Sequence, residues 1–366
     1  MRAAICGVGR MGTAIAWAMQ ELGYEVHGLD SQQGSAKNLP HGNNNFFITE
    51  NIGDFEKAFE LIKPDIVISS LPYHQTQEVG TLCIDKGLRY CDLGGRVDVS
   101  ANINNYAKDK ATKPIMTDLG LAPGWVNILG EEGYHSIYGH GPVETVRMMV
   151  GGIPAKACKP PMNYSVTWST DGLINEYKDD CEILDNREVK IVKGMDGYEL
   201  VDTAHLGLLE AFYTSGGASH SIESLKSRGV RNCSYKTLRY PGHIDIVKFL
   251  INDCELNDEQ IKHIFEKGCK QGEGEQDVII IKASVRKGDI RWDRELLITA
   301  DQGGFSAMQK ATAYAISSVA AIIGKGHFDN RQEEFRDYKK DLSLVLLYKD
   351  IPFNEFNKNL QTLGII

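Results

Sequence analysis

Three glycines and a distant carboxylate carry the first recognisable chemistry in the chain. Gly7, Gly9 and Gly12 stand in Gly7-Val8-Gly9-Arg10-Met11-Gly12, directly after the apolar run Ala3-Ala4-Ile5-Cys6. A helical stretch over 13–22 follows, closed by Gly23, and a second strand-like run ends at Asp30. Gly7 permits a tight turn, Gly9 lets a pyrophosphate approach the backbone, and Gly12 lets helix and strand pack closely. The phosphate then meets free N–H groups at the helix start, beside Arg10 and Met11. Asp30 accepts hydrogen bonds from ribose hydroxyls, and its charge repels a 2′-phosphate. Ser31, Gln32 and Gln33 follow it, and the next cation is Lys37. The expected cofactor is therefore NAD rather than NADP. A lone GxGxxG is weak, but strand, helix and spaced acid in context make it specific.

Further polar groups stand where chemistry would need them. Ser70, Leu71 and Pro72 close an apolar run. In open α/β sheets ligands bind outside the carboxyl ends of strands, so these three are expected at the cofactor. The alternative is a plain turn, since proline stops a strand. Asp118 opens Asp118-Leu119-Gly120-Leu121-Ala122-Pro123-Gly124 and is either an active-site carboxylate or a cap. Tyr164, Trp168 and Tyr177 lie in one polar stretch, Ser215 and Gly216 in a glycine-rich turn, and Arg239 and His243 in Lys236-Thr237-Leu238-Arg239-Tyr240-Pro241-Gly242-His243. Arg239 suits a bidentate grip on a substrate carboxylate, or else a structural salt bridge. His243 suits proton transfer near neutral pH, or else begins a helix and donates to a loop. Arg239, His243, Tyr164 and Asp118 are expected around one cleft facing the nicotinamide. The eight cysteines form no CxxC, and no metal site is expected.

These residues need elements to hold them. Strands are predicted at 3–6, 46–48, 66–70, 88–93 and 114–117, besides the one ending at Asp30. Helices are predicted at 13–22, 54–62 and 74–86, with a fourth ending near 112. This alternation predicts an α/β domain with a doubly wound parallel sheet, the Rossmann arrangement, over 1–124. An inserted α+β substrate domain is expected over 125–304. It has a strand at 143–150, a strand at 166–168 entering a helix near 173–179, strands and turns over 182–193, and paired strands at 277–285 and 289–300. A long helix over 305–324 opens a C-terminal segment, 305–366, that returns to the first domain.

A chain of 366 residues can form two domains with a large core. A net charge of −9 and the lack of basic runs with interleaved aromatics argue against nucleic acid. The scattered cysteines read as small buried residues in a reducing compartment. Met1-Arg2 runs straight into the first strand, so no signal peptide is expected. The apolar stretch 311–323 is too short to span a membrane. A cytoplasmic protein without a membrane partner is expected.

The strings GVGRMG, SSLP, DLGG at 92–95, DLGLAPG, GGIP at 151–154, NYSVTWSTDGLINEY, TSGG and KTLRYPGH together resemble the saccharopine dehydrogenase-like reductases. Within them the chain is most similar to the L-lysine 6-dehydrogenase branch, with motifs spread from residue 7 to about 324. The resemblance implies a Rossmann domain, an α+β catalytic and dimerisation domain, and a C-terminal segment returning to the first. It implies NAD-dependent oxidation of an amino acid's side-chain amine, most simply L-lysine to 2-aminoadipate 6-semialdehyde, which closes to a piperideine carboxylate. Arg239 would hold the α-carboxylate, with Asp118 or His243 as base. A homodimer or homotetramer is expected. One alternative is a saccharopine dehydrogenase or reductase, whose extra carboxylates would draw on Lys236, Arg228 and Arg231. Another is a non-catalytic dinucleotide-binding sensor. Residues 329–366, including Tyr338-Lys339-Lys340-Asp341, and the segment Ala218-Ser219-His220-Ser221 depart from the family pattern.

Overall fold

A computed structural model describes residues 1–40, 45–139, 142–301, 304–329 and 344–366. The chain folds as two compact units, Met1–Trp125 with Ala311–Ile366, and Val126–Lys310. The string Tyr338-Lys339-Lys340-Asp341 lies outside the described residues.

The first unit alternates strand and helix: β1 (Arg2–Cys6), α1 (Arg10–Glu21), β2 (Glu25–Asp30), β3 (Phe46–Ile48), α2 (Ile52–Ile62), β4 (Ile66–Ser69), α3 (Tyr73–Asp85), β5 (Tyr90–Asp92), α4 (Val97–Lys110) and β6 (Ile115–Met116). The strands form one sheet in the order β3-β2-β1-β4-β5-β6. Every pairing is parallel. The order reverses between β1 and β4, which is where open α/β sheets bind ligands. Both central strands are apolar and buried, as a sheet covered on two faces requires. The helices cover it with one apolar face each, such as Ala14, Ile15, Ala18 and Met19 of α1. The α/β reading of the sequence thus holds. α1 begins three residues earlier than expected, because the helix starts directly from the glycine loop with Gly9 as its N-cap.

The second unit contains α5 (Trp125–Tyr138, its first residue in the first unit), β7 (Thr145–Pro154), α6 (Thr170–Lys178), β8 (Cys181–Asp185), β9 (Glu188–Val192), β10 (Glu199–Thr203), β11 (Gly207–Phe212), α7 (Ser221–Ser227), β12 (Asn232–Arg239), α8 (His243–Lys248), α9 (Asp258–Gly268), β13 (Asp277–Lys287) and β14 (Ile290–Thr299). The sheet runs β10-β11-β12-β7-β13-β14, with β8 on β12 and β9 on β8. Only the β7–β12 pairing is parallel among these described strands. β7 extends four residues beyond the expected strand and absorbs Gly151-Gly152-Ile153-Pro154. The expected strand at 166–168 is absent. Val166 forms one isolated bridge, to Lys270, and the run is cut short because Ser169 caps α6 by accepting the Gly172 N–H at 3.2 Å.

α10 (Ala307–Gly324) starts in the second unit, where the Asp277 carboxylate accepts the Ala307 and Met308 amides at 2.9 Å each. From Ala311 onward it belongs to the first unit, and there Tyr314 stacks on Trp17 at 5.6 Å. α11 (Phe353–Thr362) ends the chain, with Asn359 donating to the Ser318 carbonyl at 2.9 Å. Among the described residues no helix is long and apolar enough to cross a membrane.

Candidate active site

The glycine loop of the first unit has the shape a dinucleotide needs. Gly7 sits at φ 84°, and a Cβ on Gly12 would stand 1.8 Å from the Gly7 carbonyl oxygen. Neither position tolerates a side chain. Gly9 is exposed, with nothing within 4 Å of the place its Cβ would occupy. α1 begins there with no side-chain cap and no acidic residue in its first turn. Such a helix start suits a phosphate. Arg10 is exposed and Met11 half-buried beside this loop.

Asp30 braces the loop from the end of β2. Its two carboxylate oxygens accept the Val8 N–H at 2.8 Å and the Gln32 N–H at 2.9 Å. Each oxygen keeps a lone pair for a ribose hydroxyl. Ser70 donates to the Gly7 carbonyl at 3.2 Å, Leu71 packs against Gly7, and Pro72 is the N-cap of α3. The turn after β4 therefore supports the glycine loop directly. These residues fit a dinucleotide.

At the carboxyl ends of β5 and β6 two carboxylates meet. Asp92 accepts the Gly94 N–H at 2.8 Å and the Asp118 N–H at 3.1 Å, both through Oδ1. Its Oδ2 is buried without a hydrogen-bond partner. Burial, then the charge of Asp118, pushes the Asp92 carboxyl up to about 7. Asp118 adopts φ 62°, accepts from Ser100 Oγ at 2.6 Å, and has its carbonyl held by the Tyr348 hydroxyl at 2.8 Å. This placement is tertiary, and the sequence offers Asp92 only as part of DLGG.

The second unit gathers Tyr164, Tyr177, Arg239 and His243 into one buried cluster. Arg239 ends β12 and is only 3% exposed. Its Nε donates to the Tyr177 hydroxyl at 3.3 Å, its Nη1 to the Leu238 carbonyl at 3.0 Å, and its guanidinium lies 4.8 Å from the Tyr164 ring centre. No described carboxylate is in ion-pair contact with it. The Tyr164 hydroxyl is buried without a hydrogen-bond partner. His243 opens α8, whose first amides are held by Glu210, through Gly242 N–H at 2.8 Å and Ile244 N–H at 2.6 Å. The His243 Nδ1 faces the Met162 carbonyl at 2.8 Å and its Nε2 faces the Tyr177 hydroxyl at 2.9 Å. Burial, reinforced by the Arg239 charge, holds its pKa down to about 3. His243 is thus neutral near pH 7, a helix-start residue donating to a loop.

Trp168 is half-buried and packs against Gly172 at the start of α6. Ser215 is tied to α6 through its N–H, which reaches the Glu176 carbonyl at 3.0 Å, and Gly216 borders open space. Glu176 lies beside this cluster, its carboxyl pushed up to about 7 by burial against the pull of Arg239. Its sequence signal was only its place next to Tyr177. Among the described residues no group of three or more His, Cys, Asp or Glu could hold a metal ion.

The parallel sheet, its reversed strand order and the glycine loop define a dinucleotide-binding oxidoreductase fold. Residues 120–333 match the model of the saccharopine dehydrogenase C-terminal domain, and the chain belongs to that family. The structure is similar to apo histidine-tagged saccharopine dehydrogenase (L-Glu forming) from Saccharomyces cerevisiae. The TM-score is 0.71 at 14% identity, covering 100% of this chain and 98% of that one. It is also similar to a meso-dapdh mutant with DAP from Clostridium tetani E88, at TM-score 0.47 and 12% identity over 97% and 95% of the two chains. A probable dehydrogenase from Thermotoga maritima gives TM-score 0.46 and 10% identity over 89% of each chain.

Proposed function

We propose that the protein is an NAD-dependent dehydrogenase that oxidises the side-chain amine of an amino acid, with L-lysine as substrate and 2-aminoadipate 6-semialdehyde as product. The observation that carries the substrate class is Arg239, a buried cation with no carboxylate partner among the described residues. Buried charges are normally paired. A substrate carboxylate supplies the missing anion, in the bidentate geometry that guanidinium favours.

Bound NAD supplies the hydride acceptor. Gly7, Gly9, Gly12 and the start of α1 hold its phosphates, and Asp30 holds its adenosine ribose. The amine must be neutral before its carbon can give up a hydride. His243 already uses both ring nitrogens, which argues against it as the base and leaves Asp118 as the other expected base. The substrate loses a hydride from carbon and a proton from nitrogen to become an imine. Water then displaces ammonia to give the aldehyde, or the α-amine displaces it and closes the ring.

Lysine is preferred to saccharopine because the extra cations are already committed. Arg228 holds Glu131 through both terminal nitrogens, and Lys236 holds Glu199 and the Gly197 carbonyl. Arg231 bonds Asn186 at 3.0 and 2.9 Å. The test is NADH formation with lysine, ornithine and saccharopine in parallel. Lysine should be turned over fastest, and faster turnover of saccharopine would overturn the reading.

A further inference from the structure

Arg239 and Glu176 bring a guanidinium and a carboxyl group to one cluster, yet they form no ion pair. Arg239 is held by the Tyr177 hydroxyl, the Leu238 carbonyl and the face of Tyr164. Glu176 is fixed by its main chain, whose carbonyl accepts the Ser215 N–H at 3.0 Å. Its carboxylate is half-buried and makes no hydrogen bond with any described residue. Two opposite charges in a poorly hydrated site attract strongly. They stay apart here because each is anchored to a different element, β12 and α6.

The other carboxylate near Arg239 is not available. Glu210 stands opposite Arg239 in the β11–β12 ladder, but its two oxygens accept the Gly242 and Ile244 amides at the start of α8. Glu176 is the one of the two with its oxygens uncommitted.

We propose that Glu176 is a specificity-determining residue that receives the α-ammonium group of the amino acid while Arg239 receives its α-carboxylate. The inference rests on the amino-acid reading of the site and adds the second half of the recognition. The carboxylate on the ammonium and the guanidinium on the carboxylate together select an α-amino acid over a simple ω-amino acid. The charge also suits Glu176 itself. Burial pushes its carboxyl up to about 7, and a bound ammonium would favour the ionised form. A neutral glutamine keeps the size of the side chain and removes that charge.

The experiment compares L-lysine with 6-aminohexanoate, which keeps the carboxylate and the terminal amine but lacks the α-amine. Binding is measured calorimetrically in the presence of NAD, and turnover is read as NADH formation. The wild type should bind lysine at least about tenfold more tightly than 6-aminohexanoate, the size of one charge-assisted contact. Glu176→Gln should lose about tenfold for lysine and nothing for 6-aminohexanoate, so that the two ligands converge. Glu176→Asp, which retains the charge, should keep part of the preference. Equal binding of the two ligands by the wild type overturns the inference without any variant. So does a Glu176→Gln protein that is folded and keeps the wild-type ratio. If instead the wild type oxidises no α-amino acid at all, the amino-acid reading fails, and this inference with it.

Discussion

The Tyr177 hydroxyl and the His243 Nε2 atom lie 2.9 Å apart, and the far side of the ring sets the direction of their hydrogen bond. Nδ1 is 2.8 Å from the Met162 carbonyl, which can only accept, so Nδ1 bears the proton and Nε2 accepts from Tyr177. The chain of donors runs from Arg239 to Tyr177 to His243 to Met162. Its role is to fix the tyrosine beneath the arginine.

His243→Asn removes the acceptor of a buried hydroxyl. It should cost about 1–3 kcal/mol of stability. A pKa held near 3, below the ordinary 6.5, means that the native state favours neutral His243. The stabilisation from that group is complete above 6.5 and is lost as pH falls toward 3. Denaturant unfolding should therefore show the gap between wild type and variant narrowing as the medium is acidified below 6.5. The neutral limb of the pH–rate profile should keep its midpoint in the variant. A midpoint that disappears with the histidine would show that His243 is the base after all.

Arg239→Lys tests the carboxylate grip. Lysine keeps the charge but offers a single point rather than a planar fork. The affinity for the amino acid should fall by about 10- to 150-fold, the equivalent of about 1.5–3 kcal/mol. NAD binding should be nearly unchanged. An unaltered Michaelis constant in a folded variant would return Arg239 to the role of a structural cation.

The parallel sheet was legible because its signals are local. Gly7, Gly12 and Asp30 each answer a constraint set within one βαβ unit, and the apolar runs of β1 and β4 need no knowledge of the rest of the chain. The second unit was less so. Val166-Thr167-Trp168 reads as alternating and extended, but Ser169 converts the run into a helix entry. α5 follows directly on Gly124, and nothing in Trp125-Val126-Asn127 distinguishes a buried helix from a buried strand. The cluster of Tyr164, Tyr177, Arg239 and His243 was nameable residue by residue. That they meet depends on a loop, α6, β12 and α8 converging. The same holds for Glu176 and Asp92, whose settings exist only in the folded chain.

The choice of cofactor turns on Asp30. Its oxygens already brace Val8 and Gln32, so replacing it both removes the charge that repels a 2′-phosphate and loosens the glycine loop. Asp30→Ala combined with Ser31→Arg should move the preference toward NADP while raising the Michaelis constant for either dinucleotide. Side-by-side titrations with NAD and NADP read both effects. Tighter binding of NADP by the unaltered protein would contradict the ribose assignment.

Asp92→Asn isolates the effect of the buried carboxylate pair. Asparagine keeps an oxygen for the Gly94 and Asp118 amides and carries no charge, so the left-handed turn at Asp118 should survive. In the wild type the native Asp92 carboxyl is raised from 3.8 to about 7, which means folding favours its protonated form. Its contribution to stability is complete below 3.8 and is lost as pH rises through 7. Between those limits the unfolded chain releases a proton that the native one retains. The variant has no such dependence at this position. Its stability relative to wild type should therefore rise with pH across that interval, by at most about 1.4 kcal/mol per pH unit, and level off above it. Equilibrium unfolding of both proteins at a series of pH values measures the slope. A difference that does not change with pH would show that burial beside Asp118 does not raise the Asp92 carboxyl in the native protein.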